Sequence, residues 1–374
     1  MRTRILFFAM LLASSFVAAQ PGGNRRWANT SSPEVHADKK VTFRYMAPNA
    51  KEVKLSGQFA DGQIDMVKND MGVWEVTVGP IEPDMYPYEF IVDGTRVMDP
   101  GNADFFPNEN FKGSILEVPD DQPMAYSIQN MPHGNVEYVM YDSPSIGVTG
   151  RMCIYTPPGY DPKGDKKYPV FYCISGTTDT EEVYFKVGRA NFILDNLIAA
   201  GKAEPMIVVM PYGNPMAWFE QGAEMPRIDL FSEMLMKDII PYVDKNYRTI
   251  NDRLGRGIGG FSRGGAQALR NGLMNKDQFA WICSYSSGVS ANDFEKNYEA
   301  FYADPDKTNK EMKLIWLGVG NSDFLYNLAV DFDNVLTKHR INHIFQVTTG
   351  GHTWMNAKLY LLETFQRLFK STNY

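Results

Sequence analysis

From about Val41 to Val118, apolar and polar residues alternate with a period of two. The stretches "VTFRYMAP", "EVKLSG", "GVWEVTVG", "YPYEFIVDG" and "SILEVPDD" each carry the alternation, as strands with one buried and one solvated face do. Asp93-Gly94 is a hairpin signal, and Gly57, Gly72 and Gly79-Pro80 punctuate the other strands. No stretch of helical period interrupts them. The pattern predicts an immunoglobulin-like β-sandwich over residues 36–118, with the polar "PDDQP" opening a linker over 119–134.

Beyond residue 135 the pattern changes. "KYPVFYCIS" and "MIVVMPYG" are continuous apolar runs, as strands buried on both faces of a parallel sheet are. Between them "GRANFILDNLIAAGK" has helical spacing and a glycine near its end. "DLFSEMLMKDIIPYVDKNY" is a second predicted helix, followed by the strand "LGRGIGGFS" and the helix "GGAQALRNGLMNK". "KLIWLGVG" and "HIFQVTTGG" are further strands with the helix "YNLAVDFDNVLTKHR" between them, and "AKLYLLETFQRLFK" is a closing helix. Strands alternating with helices predict an α/β domain with a mostly parallel sheet over 135–374.

The first residues follow neither pattern. Arg2 and Arg4 precede "ILFFAMLLASSFVA", and Val17 and Ala19 stand at the −3 and −1 positions of a cleavage site. A signal peptide over 1–19 and a secreted or periplasmic product are expected. The run is too short to serve as a membrane anchor. A hydrophobic fraction of 44% with 22% charged residues is enough to build full cores. The formal net charge of −7 argues against nucleic acid as a partner, because phosphate contacts need concentrated Lys and Arg. Cys153, Cys173 and Cys283 are far apart in apolar sequence and read as buried free thiols rather than a disulfide framework.

These boundaries give "GGFSRGG" its context. Gly260-Phe261-Ser262-Arg263-Gly264 is G-x-S-x-G placed where a predicted strand meets a predicted helix, the setting of a nucleophile elbow. A serine hydroxyl needs a base. His352, in "TTGGHTW", follows a strand and so lies at the sheet edge where α/β enzymes gather their chemistry. The imidazole in turn needs an acid. In the chain order Ser, Asp, His, that acid falls between 262 and 352, and Asp323 in "GVGNSDF" again follows a strand. The backbone amides of Thr177, in "YCISGTTD", and of Arg263 are the candidate oxyanion donors. Tyr184, Trp218 and Trp354 sit on or beside the same loops and are candidate substrate platforms, with ordinary packing the competing explanation. His339 and His343 are four apart but have no evident third ligand, so no metal is expected, and no organic cofactor either.

Residues 135–374 resemble carbohydrate esterase family 1, the esterase D-like α/β hydrolases that include feruloyl and acetyl xylan esterases. "IYTPPGYDP", "KYPVFY", "GRANFILDNLIAAGKAEPMIVVMPYGN", "GGFSRGGAQAL", "GVGNSDF" and "GGHTW" fall in that family's order and spacing. Residues 36–118, especially "VTFRYMAPNAKEV", "GVWEVTVGP" and "YPYEFIVDG", resemble the family 48 carbohydrate-binding-module fold. The resemblance implies an α/β-hydrolase fold, a triad of Ser262, Asp323 and His352, and a secreted esterase that removes feruloyl groups from plant cell-wall xylan, with an acetyl xylan esterase of the same mechanism as the alternative. A glycan-binding relative without efficient catalysis is the alternative from another class. Two positions depart from the family: Ser175-Gly176 stands where His-Gly is usual, and Tyr184-Phe185 where a tryptophan is usual. Backbone amides tolerate such changes, whereas the shape of the substrate pocket depends on them.

Overall fold

The computed structural model describes residues 29–110, 112–215 and 227–370. The expected signal peptide and Trp218 lie outside the described residues. The N-terminal unit contains β1 (Glu34–Val35), β2 (Val41–Met46), β3 (Val53–Gly57), β4 (Gln63–Asp65), β5 (Val67–Lys68), β6 (Val73–Val78), β7 (Asp84–Val92), β8 (Thr95–Val97) and β9 (Ser114–Val118). They form two facing sheets, ordered β1-β2-β6-β5 and β4-β3-β7-β8, with β9 also pairing β7. Val41, Phe43, Val53, Leu55, Phe90 and Leu116 fill the space between the sheets. Asp93 and Gly94 both have positive φ, 47° and 85°, as the two central residues of a type I′ hairpin turn require. The short strands β1, β4, β5 and β8 are additions to the predicted set, each too brief to show a period.

The second unit is an eight-stranded sheet. Its strands are β10 (Asn135–Ser143), β11 (Val148–Thr156), β12 (Val170–Ile174), β13 (Ile207–Pro211), β14 (Arg256–Phe261), β15 (Trp281–Tyr285), β16 (Leu314–Gly320) and β17 (Ile344–Thr348). The spatial order is β10-β11-β13-β12-β14-β15-β16-β17. β10, β11 and β13 pair antiparallel, and every pairing from β13 through β12 to β17 is parallel. From β12 the chain steps to one side for β13 and then to the other for β14. That reversal makes the carboxyl ends of β12 and β14 a topological switch point, where a crevice opens. β10, β11 and β15 were not among the predicted strands. β15, "WICSY", is buried at all five positions, and so short an apolar run shows no period to read.

The predicted helix over "DLFSEMLMKDIIPYVDKNY" exists but is not uniform. An α-helical Arg227–Met234 passes into a π-helical Leu235–Ile239 and then an α-helical Ile240–Asn246. Pro241 stands at the start of the last segment. It has no amide to donate and its ring crowds the preceding turn, so the wider π turn accommodates it.

The segment 119–134, expected as a linker, is packed. Tyr126 is buried, Asn196 donates to the carbonyls of Ala125 and Ser127 at 2.8 and 2.9 Å, and His133 bonds Asp195 at 2.9 Å. The two units share apolar surface as well. Strand β7 sends Tyr86, Tyr88 and Phe90 into the sandwich core but Met85 into the core of the second unit, which Ile115 and Phe106 also join. From the other side, the helix Trp354–Phe365 lends Met355 to the sandwich and buries Lys358, only 4% exposed, against Asp84 and over the Tyr126 ring. Burial pushes the Lys358 pKa down, and Asp84 opposes that shift.

A buried ammonium left without its carboxylate is costly. Asp84→Ala should therefore destabilise the protein by about 3 kcal/mol. Lys358→Met, which removes the charge and keeps the apolar stem, should cost clearly less. Urea unfolding of the two variants beside the wild type measures the difference.

Candidate active site

Ser262 stands between β14 and the helix Arg263–Met274, with φ 58° and ψ −120°. A serine with positive φ is strained. Its amide donates to the Tyr285 carbonyl at 2.8 Å, which ties the turn to β15. The flanking glycines are steric necessities. A Cβ on Gly264 would fall 2.0 Å from the Ile174 carbonyl oxygen, and one on Gly260 would fall 2.5 Å from the Gly264 carbonyl. The backbones touch, and the turn holds Ser262 at the mouth of the switch-point crevice.

Asp323 and His352 come from the ends of β16 and β17. The two turns interlock: the amides of Asn321 and Ser322 donate to the carbonyls of Thr348 and Gly350 at 2.8 and 2.9 Å. A Cβ on Gly320 would lie 2.2 Å from the Gly350 oxygen. His352 Nδ1 meets the two Asp323 carboxylate oxygens at 3.0 and 2.9 Å. The Leu325 amide donates to the same carboxylate at 2.8 Å. Burial raises the Asp323 pKa, but the bonds from His352 and Leu325 outweigh it and hold the group below the ordinary carboxylate value. An ionised Asp323 favours the His352 tautomer with its proton on Nδ1, leaving Nε2 as the basic nitrogen. The imidazole packs against two phenyl rings, stacked with Phe261 at 4.6 Å between centroids and tilted against Phe324 at 4.4 Å. Phe324 is 75% exposed.

Ser262 and His352 line one cleft of about 400 Å³, together with Gly176, Thr177, Phe106 and Trp354. Arg263 opens its helix, where first-turn amides point out of the helix and the dipole favours negative charge. Thr177 follows β12 on the opposite lip. Ser175, at the position where a histidine was the family expectation, donates its hydroxyl to the Asp179 carbonyl at 3.1 Å and so closes its own loop.

Asp179 was not foreseen. Its carboxylate is buried and lines the cleft. It accepts from the Asn108 amide at 2.8 Å and from the Trp354 indole N–H at 3.3 Å. Burial raises its pKa to about 6, against the pull of those two bonds and the charges of Arg263 and His352. No local signal in "TTDTEE" marks it, because the groups that bury it lie far away in the chain.

The three proposed platforms differ in position. Trp354 is buried but reaches the cleft. Tyr184 is a correction: it is wholly buried, its ring edge-on to Trp354 at 4.9 Å and its hydroxyl donating to the Ile174 carbonyl at 3.0 Å. It belongs to the core under the loop that follows β12. Trp218 lies outside the described residues. His339 and His343 do not converge: one pairs with Glu295, the other with Asp333.

A serine on a strained strand–helix turn, sharing a cleft with an aspartate-backed histidine on a parallel sheet, defines the class of α/β hydrolases. The chain belongs to the Esterase family, which it matches over residues 143–365. Residues 30–106 match carbohydrate-binding module 48, the isoamylase N-terminal domain. Among curated proteins, an endo-1,4-beta-xylanase/feruloyl esterase of Xylanibacter ruminicola is 31% identical over 296 residues, which are 78% of this chain and 39% of that one. The chain thus spans about two fifths of that relative's length. Among solved structures, the feruloyl esterase module from Clostridium thermocellum complexed with sinapinate superposes with TM-score 0.58 at 24% identity, covering 68% of this chain and 94% of that one. The enterochelin esterase from Shigella flexneri gives TM-score 0.65 at 14% identity and covers 93% and 98%. These two likenesses establish the fold, the second across both units.

Gly264→Ala should lower stability by more than about 2 kcal/mol, since backbone rather than a movable side chain meets the added methyl; thermal melting reads it. Asp179 has a folded pKa of about 6 against the ordinary 3.8. The folded state therefore holds that proton more tightly, and this stabilisation is full below about pH 4 and lost as pH rises through about 6. Asp179→Asn cannot ionise. Relative to wild type, its melting temperature should improve as pH goes from about 4.5 to about 7.5, by the equivalent of roughly 3 kcal/mol at most.

Proposed function

We propose that this protein is a secreted serine carboxylic-ester hydrolase that removes feruloyl groups from plant cell-wall xylan. The observation that carries the reading is the conjunction of Ser262, held at positive φ, with the His352–Asp323 pair at the same cleft. The Ser262 hydroxyl oxygen attacks the ester carbonyl while His352 Nε2 takes its proton. Thr177 and Arg263 donate backbone N–H groups to the oxyanion. The tetrahedral intermediate collapses, His352 passes the proton to the departing sugar oxygen, and an acyl-serine remains. Water, deprotonated by His352, then releases the acid and restores Ser262. Asp323 keeps the imidazole oriented and stabilises its protonated form. No step calls for a metal or an organic cofactor.

Feruloyl preference is supported by the rings that border Ser262: Phe106, Phe261, Phe324 and Trp354 surround the cleft and suit a flat aromatic acyl group better than an acetyl group. The xylanase/feruloyl esterase relative points the same way. Secretion is supported by the leader-like run at residues 1–19, and the module match supports a carbohydrate-bearing substrate.

Purified protein should release ferulate from methyl ferulate and from feruloylated arabinoxylan faster than acetate from acetylated xylan. Ser262→Ala should abolish release, and Asp323→Asn should lower kcat on the order of 10³–10⁴-fold. Preference for acetylated xylan would overturn the acyl assignment alone. Silence on every ester with retained xylan binding would overturn the enzyme assignment.

A further inference from the structure

The loop that carries the Thr177 amide is held from outside its own domain. Residues 107–109, which follow the sandwich strand β8, run beside it as a short bridge. The Glu109 amide donates to the Thr178 carbonyl at 2.7 Å, and the Thr180 amide donates to the Pro107 carbonyl at 3.1 Å. Between these bonds the Asn108 side chain, itself buried, reaches Asp179 at 2.8 Å. Asp179 is the peg around which the loop is wound. Its amide donates to the Gly176 carbonyl at 3.3 Å, and its own carbonyl accepts from Ser175. A Cβ on Gly176 would lie 3.0 Å from its Oδ2.

The loop needs such support. Thr178 has φ 65°, a conformation that a β-branched residue keeps only when its surroundings impose it. The peptide so constrained adjoins Thr177. Glu109 extends the hold to a second loop. Its carboxylate accepts from the Tyr212 hydroxyl and, at 2.9 Å to each oxygen, from the Asn214 amide. Tyr212 and Asn214 follow β13, and the Gly213 carbonyl between them accepts from Gln267 of the Ser262 helix at 3.0 Å. One short segment of the N-terminal unit therefore grips the loop that carries Thr177 and, through Glu109, the loop after β13 that bonds the Ser262 helix.

We propose that Asn108 and Glu109 are positioning residues for the oxyanion hole, so that the N-terminal unit acts on the chemical step in addition to any contact with polysaccharide. This rests on the serine-esterase reading above. An oxyanion donor is effective only when aimed at the place where charge develops, and losing one outright costs about 10²–10³ in kcat. Slackening the loop that carries it should cost a sizeable part of that.

The test uses the full chain with methyl ferulate and p-nitrophenyl acetate, neither of which carries a sugar. Asn108→Ala and Glu109→Ala should each lower kcat about tenfold or more on both esters, with KM changed less than about twofold. Inhibition by an aryl trifluoromethyl ketone, whose adduct with Ser262 places an oxyanion in the hole, should weaken in proportion to kcat/KM. Inhibition by free ferulate, which forms no such adduct, should not weaken. A merely structural role would lower the melting temperature without moving that ratio, so assays are run well below each variant's melting point. Should Asn108→Ala fail to fold, Asn108→Ser, whose hydroxyl is too short to span the gap, carries the same test. Unchanged kcat and ketone inhibition in the variants, with Ser262→Ala inactive, would overturn this proposal and leave the esterase reading standing. A wild type inert to both esters would overturn the two together.

Discussion

Between the end of β12 and the first turn of the Ser262 helix there is no room for a methyl group. A Cβ at Gly264 would sit 2.0 Å from the Ile174 oxygen and 2.6 Å from that of Ser175. This contact determines how far the Ser262 turn stands from the loop that begins at Ser175. Since the two candidate oxyanion amides lie one on each side of it, their separation follows from the same approach of two backbones. Ser262 takes its strained φ because the chain must reverse there without retreating from β12. The strain is sustained by β15 through the Ser262 amide and by the buried sheet around it, where the surrounding structure over-determines a conformation that local preference disfavours.

The histidine side of the cleft obeys a similar rule. Gly320 and Gly350 bring the turns after β16 and β17 into backbone contact, and that contact carries Asp323 to His352 across 29 residues of chain. The Asp323 carboxylate is wholly enclosed, and the imidazole packs against the rings of Phe261 and Phe324. The Nδ1 edge of His352 is taken by the carboxylate, which leaves Nε2 as the ring nitrogen that faces away from Asp323.

Much of this was legible in the sequence, for definable reasons. Ser262, Asp323 and His352 each follow a recognisable apolar strand, so topology alone delivers them to one sheet edge. The long alternating strands of the sandwich were equally plain. What escaped has a common physical origin in contacts between distant residues. Asn108 and Asp179 are 71 positions apart, and nothing near either announces the other. Tyr184 carries the same side chain whether it faces a cleft or a core, and only the Ile174 carbonyl above it and Trp354 beside it decide which. The stretch 119–134 is polar enough to read as a tether, yet Tyr126 and His133 anchor it to the second unit.

The pairing of Lys358 with Asp84 and the packing of Met355 on the sandwich core have an evolutionary side. Modules that touch only through a tether can be exchanged by recombination at little cost. Here a crossover within 119–134 would hand the hydrolase a foreign neighbour while leaving it a lysine and a methionine shaped for the old one. Descendants of such an exchange would begin with an uncompensated charge and an exposed apolar patch. Exchange of either half of this chain therefore carries a cost in stability that a tethered pair of modules would not bear.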